Sequence, residues 1–257
     1  MQISIPLRSF FLRPIKWALH QTGRMVINRN IFGHDAFADI QRLSQAWQYP
    51  IEVFFDVGAN DGDTTKRARH NFGSCRIFAF EPHPKTFSQL SENTTKIPSV
   101  ELLNLALGSE VGQKTMFEYN ESKINSLVPN AQFTVRFGVD TRRQICVDCT
   151  TIDRFCSERR INKIDILKID TEGFDFDVLK GATSMLAHHS IKFIYFEFND
   201  IVNRSGMSGG ELMPIDQLIR PHGYRFIATY NDGVEPDGEL FLVSNALYAL
   251  PPSRRLR

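Results

Sequence analysis

Cysteine is scarce in this chain, with four in 257 residues at positions 75, 146, 149 and 156. So few exclude a disulfide-built scaffold. Cys146 and Cys149 form a lone C-x-x-C, and no second pair or histidine cluster completes a metal-ligand pattern, so no metal site is read. The alternation of Ile145, Val147 and Cys149 reads instead as strand. Long apolar runs are also missing, and none is long enough to span a bilayer. Without a signal-peptide pattern, and with few cysteines, the chain is expected in a reducing cytoplasm. Excess charge is absent too. A net charge of +1 gives no broad electrostatic footprint, so a nucleic-acid partner is not expected. There are no internal repeats and no low-complexity segments.

What is present is an ordinary globular composition, 42% hydrophobic and 23% charged. The length suits one large α/β domain, placed at residues 51–250, after an N-terminal helical extension over residues 1–50. The first 34 residues carry Arg8, Arg13, Lys16, Arg24 and Arg29 and no acid. Phe10, Phe11, Leu12, Ile15, Trp17 and Leu19 are interleaved with them. Packing on the domain with a solvated basic face explains this pattern best. A basic amphipathic segment of this kind can also lie at the periphery of an anionic membrane.

From Asp35 to Trp47 apolar residues recur at helical spacing. Apolar runs then alternate with helix-compatible stretches. The runs are residues 51–56, 76–80, 100–107, 163–169 and 191–198. The helix candidates are residues 64–71 and 84–96, the stripe Phe174, Val178, Leu179, Ala182 and Leu186, and residues 213–221. This alternation predicts a doubly wound, seven-stranded, mostly parallel sheet of Rossmann-like type. The last two strands, Y-R-F-I-A-T-Y and E-L-F-L-V, have no helix between them. Their link N-D-G-V-E-P-D-G reads as a hairpin loop, so the last strand should run antiparallel. Residues 109–150 interrupt the alternation with K-T-M-F-E-Y and R-Q-I-C-V-D-C, a β-rich insertion.

Ligands of open α/β sheets bind beyond the carboxyl ends of the strands. The polar signals of this chain lie there. The first strand ends in D-V-G-A-N-D-G, with Asp56, Gly58, Ala59, Asn60 and Gly62, and Thr64 follows. The second ends in Glu81-Pro82, 19 residues after Gly62, where an acid can accept hydrogen bonds from both ribose hydroxyls. A nicotinamide dinucleotide would place pyrophosphate on the helix N-terminus through G-x-G-x-x-G. Here the loop reads G-A-N-D-G, and Asp61 and Asp63 repel phosphate while welcoming a cationic sulfonium and an ammonium group. S-adenosyl-L-methionine is therefore favoured over NAD. The fourth strand ends K-I-D-T-E-G, giving Asp170 and Glu172, and the fifth ends with Glu197 and Asn199. These carboxylates can converge on a reacting methyl group and take the proton of an attacking hydroxyl. Alternatively, Asp170 or Glu172 caps the next helix. His83 reads as an exposed loop histidine.

In order and spacing, F-D-V-G-A-N-D-G, A-F-E-P-H-P, L-N-L-A-L-G-S, V-D-C-T-T-I-D-R-F, I-D-I-L-K-I-D-T-E-G-F-D-F-D-V-L-K-G-A and Y-F-E-F resemble the FkbM family of S-adenosylmethionine-dependent methyltransferases over roughly residues 51–200. The resemblance implies a class I methyltransferase fold and O-methylation of a hydroxyl on a sugar, glycan or small metabolite. It implies that Asp56, Gly58, Asn60 and Gly62 hold the methionine part and Glu81 the ribose. It places Leu105 and Ala106 near adenine, and Asp170 and Glu172 at the transfer site. The chain departs from other methyltransferases in lacking an acid at the end of the third strand. Two other readings remain open at this point: an NAD-dependent oxidoreductase, and a non-catalytic surface-associated binding protein on a retained methyltransferase fold. The acceptor is not legible, because acceptor pockets come from loops that vary independently of the sheet. Residues 109–150 and 199–213 are the expected walls.

Overall fold

Runs such as V-F-F-D-V and I-D-I-L-K-I are apolar at consecutive positions, as strands covered on both faces must be. The computed structural model describes residues 31–119, 125–129, 143–199, 212–236 and 240–252. It places these runs at the centre of a seven-stranded sheet. The strands of that sheet are β1 (Val53–Val57), β2 (Arg76–Phe80), β3 (Val100–Leu103), β7 (Ile164–Ile169), β8 (Ile191–Asn199), β9 (Arg225–Pro236) and β10 (Leu240–Ala249). Their order is β3-β2-β1-β7-β8-β10-β9. Successive pairs from β3 to β8 are parallel, and β10 is antiparallel to both β8 and β9. The seven-stranded class I methyltransferase plan is therefore present. The basic segment up to residue 30 lies outside the described residues.

Alternate side chains of a strand face opposite sides of the sheet, and the core divides accordingly. Phe55, Phe78 and Leu167 belong to one buried cluster, and their neighbours Phe54, Ile77 and Ile166 to the other. Helix α1 (Ala36–Trp47), N-capped by Asp35, seats Phe37 in the second cluster, 5.8 Å from the ring of Phe54. Helices α2 (Asp63–Phe72) and α3 (Pro84–Thr94) follow β1 and β2. Helix α4 (Ile152–Arg159) carries Phe155 onto Phe55, Phe78 and Phe80, with centroid separations of 5.0 to 5.8 Å.

Four expectations need correction. The run at 100–107 is two strands, because Asn104 breaks it by donating to the carbonyls of Glu81 and Pro82. Its second half, β4 (Ala106–Leu107), joins a separate three-stranded sheet with β5 (Gly112–Glu118) and β6 (Arg143–Thr150). That sheet is the insertion. The stripe from Phe174 to Leu186 is two short helices, α5 (Asp175–Lys180) and α6 (Thr183–Ala187). They are separated at Gly181, where a Cβ would lie 2.0 Å from the carbonyl oxygen of Gly108. The residues read as a hairpin loop continue β9 to Pro236, which pairs with Leu240. Neither Asp170 nor Glu172 caps α5: the N-cap position is Phe174, without a side-chain bond, and Asp175 instead accepts from Thr171. Beyond β8, helix α7 (Leu212–Ile219) leads into a 3-10 turn at Arg220–His222 and then β9.

The chain leaves β1 toward β2 and β3, then returns to add β7 on the other side. The order reverses between β1 and β7, and the crevice at their carboxyl ends is the switch point where such sheets bind ligands. The opposite ends are joined by Asp165. Its fully buried carboxylate accepts from the backbone N–H of Glu52 and Val53 at 2.6 and 2.7 Å. Replacing it by Ala leaves both donors unpaired. Asp165→Ala is expected to cost about 1–3 kcal/mol, and Asp165→Asn less, in urea unfolding. An unchanged midpoint in both would show this joint to be idle.

Candidate active site

At the switch point a cavity opens between the carboxyl ends of β1, β2 and β7 and the insertion sheet. Among the described residues it is lined by Gly58, Ala59, Asn60, Asp61, Asp63 and Thr64 after β1, and by Glu81 and Pro82 after β2. Leu105, Ala106, Leu107, Met116, Asn125, Ser126 and Leu127 close it from the insertion side, and Lys168, Asp170, Thr171 and Glu172 from β7.

The first loop is shaped by two glycines. Gly58 has φ +74°, and a Cβ there would meet the Asp170 carbonyl oxygen at 1.9 Å. Gly62 has φ +92°, and its Cβ would fall 2.8 Å from Thr94 and 2.9 Å from Leu90. Glycine alone combines that conformation with so close an approach. Asp56 and Gly62 do not line the cavity. Asp56 is fully buried, accepts from the Thr65 hydroxyl at 2.6 Å and pairs with Lys168 at 3.1 Å. It fixes the loop rather than facing a ligand.

Glu81 is 6% exposed. Its Oε2 accepts from the Asn60 N–H at 3.0 Å and its Oε1 from the His83 N–H at 2.9 Å. A carboxylate accepts about four hydrogen bonds, so each oxygen keeps capacity for a ligand. Burial pushes its carboxyl up to about 7, against the pull of those two backbone donors. His83 is not an exposed loop residue: it is 2% exposed and caps α3 by accepting from the Thr86 N–H. That bond leaves the proton on Nε2, which meets Glu118 of β5 at 3.1 Å, and Glu118 also accepts from Arg143 at 2.6 Å. The loop that presents Glu81 is thereby tied to the insertion. Pro84 at the next position is the one signal in the sequence that marked residue 83 as a cap.

The K-I-D-T-E-G turn brings the acids together. Glu172 sits at φ +55°, unusual for a residue with a side chain, and its carbonyl accepts from the Ser126 hydroxyl at 2.7 Å. Asp170, Glu172 and Glu197 present oxygens within 4.8 Å of one another. That spacing could ligate a cation. The positive charge present beside them is the Lys168 ammonium, 3.6 Å from Asp170. Burial, reinforced by the charges of Asp170 and Asp175, pushes the Glu172 carboxyl well up. Burial and the charge of Asp170 push Glu197 up to about 10. Like charges this close cannot all ionise, so the group retains a proton near neutral pH. Buried Asp175, also pushed up to about 7 mainly by burial, accepts from Thr171 and from the Glu197 N–H, joining β7, α5 and β8.

Of the residues expected to bind the cofactor, Gly58, Ala59, Asn60, Thr64, Glu81, Pro82, Leu105, Ala106 and Asp170 all reach this cavity, as does Glu172. Sequence reading missed Lys168, hidden in an apolar run; Met116, Asn125, Ser126 and Leu127 fall within the wall expected at 109–150, though only tertiary packing picks out those residues. The expected acceptor wall at 199–213 lies almost wholly outside the described residues.

A family model described as the methyltransferase FkbM domain matches residues 56–226. The chain is 25% identical over 196 residues to the 2-O-methyltransferase NoeI of Sinorhizobium fredii, covering 73% of this chain and 78% of that protein. It is 29% identical over 162 residues to the hexuronic acid methyltransferase AglP of Haloferax volcanii, covering 63% and 62%. It is 26% identical over 202 residues to the 31-O-demethyl-FK506 methyltransferase FkbM of Streptomyces tacrolimicus, covering 70% and 75%.

The buried acids set a pH dependence. Glu81 and Asp175 titrate near 7 in the folded chain, against ordinary values of 4.5 and 3.8. Between those limits the folded state holds more protons than the unfolded one, so stability falls as pH rises. In urea unfolding the ligand-free protein is expected to be more stable at pH 5.5 than at pH 8, by on the order of 1 kcal/mol of unfolding free energy per carboxyl. Glu81→Gln should flatten part of that slope, and a midpoint that rises with pH contradicts the assignment.

Proposed function

The chain belongs to the FkbM methyltransferase family, and from that membership we propose that it is an S-adenosylmethionine-dependent O-methyltransferase acting on a hydroxyl of a sugar or glycan. The observation that carries this reading is the shared cavity of Glu81, at the end of β2, and Asp170 and Glu172, at the end of β7. The names of NoeI and AglP, a 2-O-methyltransferase and a hexuronic acid methyltransferase, support a sugar acceptor. Family membership sets aside the oxidoreductase reading.

The residues present suit the cofactor. Glu81 has both oxygens oriented by backbone donors and would hold the ribose hydroxyls. Leu105, Ala106, Leu107, Met116 and Leu127 offer an apolar edge for adenine. Gly58 to Asn60, with Asp170, would receive the amino-acid end. Asp61 and Asp63 at the start of α2 favour a cationic ligand over a phosphate. When bound, S-adenosylmethionine supplies an electrophilic methyl carbon on a positively charged sulfur.

What remains for the protein is alignment and removal of one proton. Alignment comes from the rigid strand ends on which the site is built. The proton of the acceptor hydroxyl passes to the Glu172 carboxylate. Its crowding by Asp170 and Glu197 makes it a stronger base than an exposed glutamate. Because the triad shares a proton, it can take up another without leaving a buried excess of negative charge.

Calorimetric titration with S-adenosylhomocysteine is expected to show binding, and none at high micromolar concentration would sink the proposal. With a sugar acceptor found by panel screening, Glu172→Gln should lower kcat by about 10²–10⁴-fold. The KM for S-adenosylmethionine should change by only a few fold, because the proton, not the donor, is what Glu172 handles.

A further inference from the structure

Lys168 is the one charged residue in β7 that points to the carboxyl end of the sheet with Asp170, two positions on. It is 3% exposed, and lysine is almost never so buried unless it is paired. Burial works against its charge. Asp56 and Asp170 beside it more than offset that and hold it above the ordinary lysine range. An ammonium has three N–H donors. One reaches the Gly58 carbonyl at 2.9 Å, and the Asp56 carboxylate pairs with the ammonium at 3.1 Å. Asp170 Oδ2 lies 3.6 Å away, beyond hydrogen-bond range.

The cavity needs a donor of this kind. Among the described residues that line it, Lys168 is the only cation, against the carboxylates of Asp61, Asp63, Glu81, Asp170 and Glu172. An amino-acid group entering there has many partners for its ammonium and few for its carboxylate. The backbone of the loop from Gly58 to Asn60 does not make up the difference. The N–H groups of Gly58 and Ala59 bond to the Phe80 carbonyl, that of Asn60 to Glu81, and that of Gly62 to the Ala59 carbonyl. Phosphate-binding loops keep such groups free for their ligand; here those four are used internally.

We propose that Lys168 receives the carboxylate of the donor's amino-acid end, and so discriminates donors that carry it from those that do not. This rests on the reading of the site as one for S-adenosylmethionine. The same ammonium holds the Gly58 carbonyl and Asp56, so the group that recognises the ligand also holds the loop that surrounds it. A charge-assisted hydrogen bond is strong and directional, and here its donor is a buried ammonium.

The test compares S-adenosylhomocysteine with its decarboxylated analogue, which differs only in the carboxylate, by calorimetric titration. The unaltered protein is expected to prefer S-adenosylhomocysteine by about 10-fold or more. Lys168→Met should erase that preference: whatever affinity both ligands lose as the loop loosens, S-adenosylhomocysteine should lose about 10-fold more than the decarboxylated analogue. The double variant Asp56→Asn, Lys168→Gln replaces the ion pair by two amides, avoids an uncompensated buried acid and should behave alike. No preference in the unaltered protein overturns the inference without any variant having to fold. A preference that persists in either variant, or equal losses for both ligands, also overturns it. Failure of the unaltered protein to bind either ligand would instead refute the cofactor reading.

Discussion

At the centre of the site, two strand ends meet closer than side chains allow. Gly58, just past β1, lies so near the Asp170 carbonyl that a Cβ would approach its oxygen to 1.9 Å. Lys168 spans the same junction, bonding the Gly58 carbonyl and pairing with Asp56. Chain reversal puts β1 and β7 side by side, the glycine lets them converge, and the ammonium offsets the carboxylate left between them. The β1 loop takes its course from that junction. It sets the direction in which the loop leaves β1, and with it the N–H of Asn60 that orients Glu81.

Charge is distributed unevenly around the junction. Among the described residues, five acids line the cavity from three strand ends, and one lysine answers them. Burying carboxyls here destabilises the ligand-free fold: burial pushes Glu81 up to about 7, and burial with the charge of Asp170 pushes Glu197 up to about 10. It serves a site that must attract a cation and accept a proton. Binding sites commonly cost stability in this way. The strain at Glu172, held at φ +55°, fits the same pattern. Ser126 from the insertion fastens its carbonyl, so the turn that carries the proposed base is braced by the insertion.

Much of the frame was legible because parallel strands covered on both faces leave unbroken apolar runs. β2 spans the residues expected, and β1 and β7 differ only at their ends. Glu81, Asp170 and Glu172 were legible because in such sheets a polar residue ending an apolar run stands at the ligand crevice. The errors have local causes. Asn104 looks like an interruption to be tolerated within a strand, and only its bonds to the Glu81 and Pro82 carbonyls reveal a break. Turn-forming residues after Tyr230 suggest a loop, yet antiparallel pairing with β10 carries them as strand to Pro236. His83 looked exposed because histidine is an uncommon cap, and its bond to Glu118 lies 35 positions away.

The sequence by itself determined the sheet class, the glycine loop, the acids at three strand ends and the family, since all of these follow from local pattern and spacing. Only the tertiary structure decided which of them face a ligand. Asp56, the first acid of the most telling motif, turns out to brace the loop, while Lys168, unremarked in an apolar run, stands on the cavity wall. Roles of that kind depend on which charge is left without a partner once distant strands have packed. That is a property of neighbours in space, and it leaves no periodicity along the chain.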